Sequence, residues 1–309
     1  MSLATNSKTP RIYIHDTTGI TLLPHLQALL PNSLPLLRRL QSPHRTRHSR
    51  VLASFPPASG TPPKCCAAAY VDRSRAAETE AWIFSSLEVA RGGSSEEQWE
   101  AEEQIVGLVR GIKRLGVEGC EGDDERGEGS DPDILLVGSV HERVLRVLKS
   151  RGLVHAQTGR HVKYVFNVAD LPPQPPLPTG FQFTVVEPAD YALVLSRTHI
   201  PRKPRTLKLL RSIAITPPSS SASSSPQPVS WGFLGLDASL TSLHVEEEYR
   251  GLGLAKAMVV KLFREFGADE LAHADVEEEN KGSRGLCEKG LGGREGWMDY
   301  WVWVDLKEL

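Results

Sequence analysis

Leu243-His244-Val245-Glu246-Glu247-Glu248-Tyr249-Arg250-Gly251-Leu252-Gly253-Leu254-Ala255 reads as a short strand that runs into a glycine-rich turn and then a helix. Glycines let the backbone approach a ligand with no Cβ in the way, so successive N–H groups at a helix start can converge on one phosphate. The helix dipole adds favourable electrostatics. The stretch is an anion cradle, and its surroundings must say which anion it suits.

Spacing removes two familiar answers. A dinucleotide fold wants G-x-G-x-x-G, but Gly251 and Gly253 are followed by Lys256 where the third glycine belongs. A Walker loop wants four residues between its glycines and then Gly-Lys-Ser/Thr, and that pattern is absent. What remains is Arg-x-x-Gly-x-Ala, Arg250 to Ala255. Downstream, Leu254, Ala255, Met258, Val259, Leu262, Phe263 and Phe266 recur at helical spacing with Lys256, Lys261, Arg264 and Glu265 on the other face, and Gly267 is placed to stop the helix. Leu271 to Val276 then alternates as a strand, and Asn280 leads into a further helix through Ser283, Leu286, Cys287, Glu288 and Lys289.

Strand, Arg-x-x-Gly-x-Ala loop, amphipathic helix, strand and Asn-bearing turn in this order resemble the GNAT superfamily of acyl-CoA N-acyltransferases. The run Pro228 to Leu240, read as strand, turn at Asp237-Ala238 and strand, resembles its glycine N-acyltransferase-like branch with uncharacterised fungal relatives. The resemblance implies an α/β (α+β) GNAT fold, a mixed central sheet flanked by helices. It implies acetyl-CoA or another acyl-CoA as co-substrate, with Arg250, Gly251, Leu252, Gly253, Leu254 and Ala255 on the pyrophosphate. Leu243 and Val245 would offer backbone to the pantetheine arm, and Asn280 and Ser283 would meet it from the other side.

A proline-rich stretch, 171–180, divides the chain and reads as a semi-rigid linker. After it come a strand over Phe181–Glu187, a helix capped by Asp190, and a second helix opened by Pro204. The Ser/Pro segment 216–228 cannot bury enough to fold and reads as an expanded hairpin tip. Ahead of the linker, strands at 50–53, 67–71 and 81–87, a helix at 105–115, a strand at 133–138 and a helix at 140–149 repeat the same order without the loop motif. The acidic, glycine-rich 119–133 reads as an excursion between them. The expected organisation is a degenerate GNAT-like domain over 10–170, the linker, and an intact GNAT domain over 181–309.

Composition narrows the class further. The 309 residues suffice for two domains, and a net charge of -2 gives no footprint for nucleic acid. The four cysteines, Cys65, Cys66, Cys120 and Cys287, form neither a C-x-x-C pair nor a disulfide framework, so no structural zinc is indicated and a reducing interior fits. No run approaches a membrane span or a signal peptide's apolar core. The expected protein is soluble and intracellular, cytoplasmic, binds no metal, nucleic acid or membrane, and takes a small-molecule amine acceptor; its oligomeric state is not legible.

Acyl transfer from a thioester to an amine needs a neutral amine, a stabilised oxyanion and a protonated leaving thiolate. Glu246, at the strand end, is the first candidate base and His244 the second, against the reading of Glu246–Glu248 as a solvated charge run. The family's tyrosine in Leu-Tyr-Glu-Lys is replaced by Cys287, a candidate acid or a small core residue. His273 and Asp275 share a strand face and read first as structural residues, with Asp275 the alternative as a candidate for substrate contact. Arg197, Thr198, His199, Arg202, Lys203 and Arg205 suit a carboxylate-bearing acceptor such as an amino acid, or merely cap helices. Trp297, Trp301 and Trp303 line a pocket or pack a terminal strand. The leading expectation is direct transfer in a ternary complex. The alternatives are a non-catalytic acyl-CoA sensor or interaction module, and a nucleotide-binding protein.

Overall fold

The computed structural model describes residues 10–57, 63–89, 94–117, 130–218, 226–267 and 271–309. Largely apolar runs such as Ala67–Val71 and Ile134–His141 form buried strands, and periodic apolar stripes form the helices that cover them. The chain forms two units, residues 1–158 with 300–309, and residues 159–299.

The first unit contains β1 (Tyr13–His15), α1 (Leu23–Gln27), α2 (Leu34–Gln41), β2 (Arg50–Ala53), β3 (Ala67–Val71), β4 (Ala81–Ser85), α3 (Ser95–Leu115), β5 (Ile134–His141), α4 (Glu142–Ser150) and β6 (Val154–Gln157). The strands β1 to β4 pair antiparallel in sequence order, and β4 pairs parallel with β5. The apolar faces of α3 and α4 bury Ile105, Leu108, Val109, Val144 and Leu148 against this sheet. α3 starts earlier than the expected 105 because Ser94 and Glu97 form a capping box, each side chain accepting the other's backbone N–H.

The second unit contains β7 (His161–Asn167), β8 (Gln182–Thr184), α5 (Tyr191–Ser196), α6 (Pro204–Leu207), β9 (Arg211–Thr216), β10 (Ser230–Leu234), β11 (Ser239–Val245), α7 (Leu254–Phe266), β12 (Leu271–Glu277), α8 (Lys281–Gly285), a π-helical turn at Leu286–Gly290, and the first part of β13 (Arg294–Asp305). The strands β8 to β11 pair antiparallel in sequence order, β11 pairs parallel with β12, and β7 lies antiparallel to β12 and to β13. The result is a mixed sheet with α7 laid on one face, where Met258, Val259, Leu262 and Phe263 meet Val162, Tyr164, Phe166, Ile213 and Ala274. β9 and β10 form the expected hairpin; part of the 216–228 tip, residues 219–225, lies outside the described residues, as do 118–129 of the acidic excursion.

The partition departs from the sequence reading in three places. The stretch 171–180 falls within the second unit: Leu171 is 4% exposed in its core, and Arg264 Nη2 donates to the carbonyls of Leu171 and Pro172 at 3.0 and 3.1 Å. The strand β7, read as belonging to the first half, pairs with β12 along its full length. Conversely, the last residues of β13 complete the first unit, where Val302 and Val304 pair with β6.

Candidate functional site

The turn before α7 is built for close approach from outside. Gly251 and Gly253 have φ of 80° and 78°, the left-handed region that glycine enters without penalty, and a Cβ on either would meet nothing within 4 Å. Gly253 is the N-cap and offers no side-chain cap, and the first turn carries no acidic residue. Ala257 makes the first bond, N–H to the Gly253 carbonyl at 3.1 Å, so the amides of Leu254, Ala255 and Lys256 face outward at the positive end of the helix. Leu254 is buried and anchors the helix, whereas Gly251, Leu252 and Gly253 are exposed. Arg250 Nε donates to the Val245 carbonyl at 3.2 Å, tying the loop to the end of β11 and leaving the rest of the guanidinium in solvent.

Behind the loop, β11 and β12 are paired for only two rows, Ser239↔His273 and Leu240↔Ala274, although β11 continues to Val245 and β12 to Glu277. The strands therefore part, and Thr241, Ser242, Leu243, His244, Val245 and Glu246 are all half-buried along the opening. At the vertex Ser242 has φ 50°, and the pairing with β10 jumps from Trp231↔His244 to Phe233↔Thr241, an extra residue on β11. This bulge resets the side-chain alternation. Leu240, Leu243 and Val245 turn to the α7 face, while His244 stacks on Trp231 on the opposite face, ring centroids 4.7 Å apart.

That opposite face gathers several of the predicted residues. Arg197 Nε contacts both oxygens of Glu246, at 3.0 and 3.3 Å, and His244 Nε2 lies 3.4 Å from Glu246 Oε2. From the same cationic loop, Arg202 Nη2 donates to Thr241 Oγ1 at 3.0 Å, beside the vertex. Asn280 caps α8, its Oδ1 accepting the Ser283 N–H at 3.0 Å, so one end of its amide is already engaged.

For two residues read in alternative ways, the structure favours packing over a place in the site. Cys287 is 1% exposed in the apolar core beneath α7, and burial pushes its thiol up to about 12; it packs as a small core residue. Trp301 falls in the first unit and donates Nε1–H to Thr79 Oγ1 at 3.1 Å.

The structure also assembles groups that single-sequence reading passed over. Tyr164 of β7 donates its hydroxyl proton to Glu288 and accepts from Arg284 Nε at 3.2 Å; burial and then the Glu288 bond push it up to about 12. On the other face Lys163 Nζ lies against Asp275 and 3.1 Å from Asp299 Oδ2, all three side chains at most 4% exposed. Alternation over His161–Asn167 was the available signal, but nothing local shows that Lys163 faces two carboxylates distant in sequence. Among the described residues no His/Cys/Asp/Glu group is arranged to hold a metal, and no helix is long and apolar enough to cross a membrane.

Residues 9–166, just over half of the chain, match the family described as the acyl-CoA N-acyltransferase verG N-terminal domain, and residues 225–292 match the acetyltransferase (GNAT) family. The chain belongs to the verG N-terminal domain family. Its second unit carries a GNAT-family domain, so the chain is a tandem of two related folds. The second match covers β10 to the π-helical turn, which includes the open strands and the bare helix start. Among solved structures, a Drosophila protein aligns over 96% of this chain and 98% of its own with 16% identity and a TM-score of 0.62. A GCN5-related N-acetyltransferase from Kribbella flavida aligns over 91% and 95% with 11% identity and a TM-score of 0.50. At such identities the likeness concerns the fold. No curated protein matches the chain.

Proposed function

We propose that the second unit transfers an acyl group from an acyl-CoA thioester directly to a small-molecule amine held in the same complex. The observation that carries this reading is the opening between β11 and β12, which leads to a helix start with no cap and no acidic side chain. Amides of the loop and first turn would hold the pyrophosphate, and the unpaired edge of β11 from Leu243 to Val245 would lie along the pantetheine. Holding both substrates at the vertex removes much of the barrier through proximity.

Arg202 at Thr241 and the pair of Arg197 with Glu246 give the acceptor side both charge signs, which suits an amine that also bears a carboxylate, such as an amino acid. The pair of Glu246 and His244 would order that acceptor. The free cysteines Cys65, Cys66 and Cys287 agree with a reducing compartment, the cytoplasm.

Replacing Gly253 with Glu puts a side chain in a left-handed position and a negative charge at the phosphate site. The expected outcome is at least ~100-fold weaker acetyl-CoA binding in calorimetry with an unchanged far-UV spectrum. Unchanged affinity would overturn the loop assignment. The burial of Cys287, which leaves no acid at that position, favours a second reading, acyl-CoA binding without turnover. Release of CoA thiol during a screen of acetyl-, long-chain acyl- and benzoyl-CoA against amino acids and polyamines separates the two.

A further inference from the structure

We infer that Asp275, held by Lys163 and faced by Asp299 at the vertex where β11 and β12 part, is the group that takes the proton from the incoming amine. This rests on the acyl-transfer reading above and assigns its missing base.

Leu240↔Ala274 is the last paired row, so Asp275 is the first residue of β12 beyond it, and its residue is half-buried although its side chain is 4% exposed. Ala272, Ala274 and Val276 pack towards α7, so alternation sends His273 and Asp275 to the other face. That face carries Thr241 with Arg202, His244 and Glu246, the groups assigned to the acceptor.

Both oxygens of Asp275 are buried without a well-formed hydrogen bond, although Lys163 lies against one of them as an ion pair. A buried carboxylate in that condition is costly. Asp299 stands beside it, and one proton held between the two carboxyls would satisfy both, as close carboxyl pairs do elsewhere. Burial, then Asp299, push Asp275 up to about 7, while Lys163 opposes the shift. His273 is kept below its ordinary range by burial and then by Lys163, and its Nε2 lies 2.8 Å from the Asp237 carbonyl, so it adds no cation to the cluster. Glu246 is a poorer choice on geometry. Both of its oxygens already face Arg197, and it lies at the far end of β11 from the vertex.

The amine arrives as an ammonium ion, and one N–H proton passes to the Asp275 carboxylate. The freed nitrogen attacks the thioester carbonyl, the C–N bond forms and the C–S bond breaks. The second N–H proton goes to the departing thiolate, giving amide, CoA thiol and protonated Asp275, which returns its proton to solvent. A base whose affinity for protons sits near the working pH is well matched to this task.

The test is the pH profile of kcat/KM for thiol release from acetyl-CoA, using the full chain and the most active amine of the screen above. The wild type should show a limb rising through about pH 7. Asp275→Asn should lower kcat ~100-fold or more and remove that limb, with acetyl-CoA affinity within twofold of wild type. Asp275→Glu should restore part of kcat and the limb, whereas Glu246→Gln should keep the limb at its original midpoint. Asp299→Asn should move the midpoint down, because a like charge has been removed. Carboxyl resonances of ¹³C-aspartate-labelled wild-type protein give a reading that needs no variant. One should titrate near pH 7, and the absence of any titrating between pH 6 and 8 overturns the assignment. A limb retained in Asp275→Asn, or lost in Glu246→Gln, also overturns it while leaving acyl transfer intact. Failure of the wild type to bind acetyl-CoA overturns both.

Discussion

Each unit carries parallel strands that pair for two rows and then part: β4 with β5 at Ala81↔Val137 and Trp82↔Gly138, and β11 with β12 at Ser239↔His273 and Leu240↔Ala274. In the first unit the residues beyond the rows, Ile83, Phe84 and Ser85 on one strand and Ser139, Val140 and His141 on the other, are all buried. In the second unit those of β11, Thr241 to Val245, are half-buried throughout. The helices that follow differ in the same sense. α3 begins in a capping box with Glu96 and Glu97 in its first turn, so its amides are served by its own chain; α7 begins at a bare glycine. One topology thus yields a sealed strand pair and a receptive one. The difference lies in a few positions: Ile83 and Phe84 beyond the rows against Thr241 and Ser242, and a self-supplied carboxylate against none.

The largest effect that would sharpen this contrast comes from Lys163→Met. It leaves Asp275 and Asp299 buried without their cation and should destabilise the second unit by roughly 3–5 kcal/mol, read by urea unfolding. A change below about 1 kcal/mol would mean that the cluster is neutral in the folded protein. Next is loop against cap. Ser94→Ala should cost about 1 kcal/mol of stability and leave acetyl-CoA affinity unchanged, the opposite of the effect expected for Gly253→Glu. If both variants weaken CoA binding equally, the two helix starts are not functionally distinct.

A third test uses pH. Asp275 binds its proton more tightly folded than unfolded, so its contribution to stability is present at low pH and is lost as pH rises through about 7. The stability of Asp275→Asn minus that of wild type should therefore grow from about pH 4 to about pH 7 and then level off; a flat difference would deny the shift. The smallest effect concerns thiols. With Cys66 and Cys287 pushed up to about 11 and about 12 by burial, neither should react with a thiol reagent at pH 8 until the protein is denatured, and Cys287→Ser should retain turnover.

Legibility in the sequence followed the range of the forces involved. The loop, the periodicity of α7, the turn at Asp237-Ala238 and the alternation of β12 are local, and the structure has them where the sequence places them. The bulge at Ser242 was hidden because a serine, not a glycine, adopts the positive φ there, held by pairing on both sides. Arg197, Glu246 and His244 were each visible as residue types, but only folding shows that they meet. Lys163, Asp275 and Asp299 come from three strands, and no local pattern marks a buried cluster whose members are polar one by one. Cys287 read first as a core residue and second as an acid, and the core around it bears out the first.

The crossing of β13 from one unit to the other sets an order on biosynthesis. The ribosome delivers residues 1–158 first, yet the strand that carries Val302 and Val304, both 0% exposed in that unit's core, is made after all of residues 159–299. The nascent first unit must wait, unfinished, while the second unit emerges and pairs its own strands. A chain ending at residue 299 should leave the earlier-made half unable to close its core, and the later-made half still holding the pairing of β7 with β12.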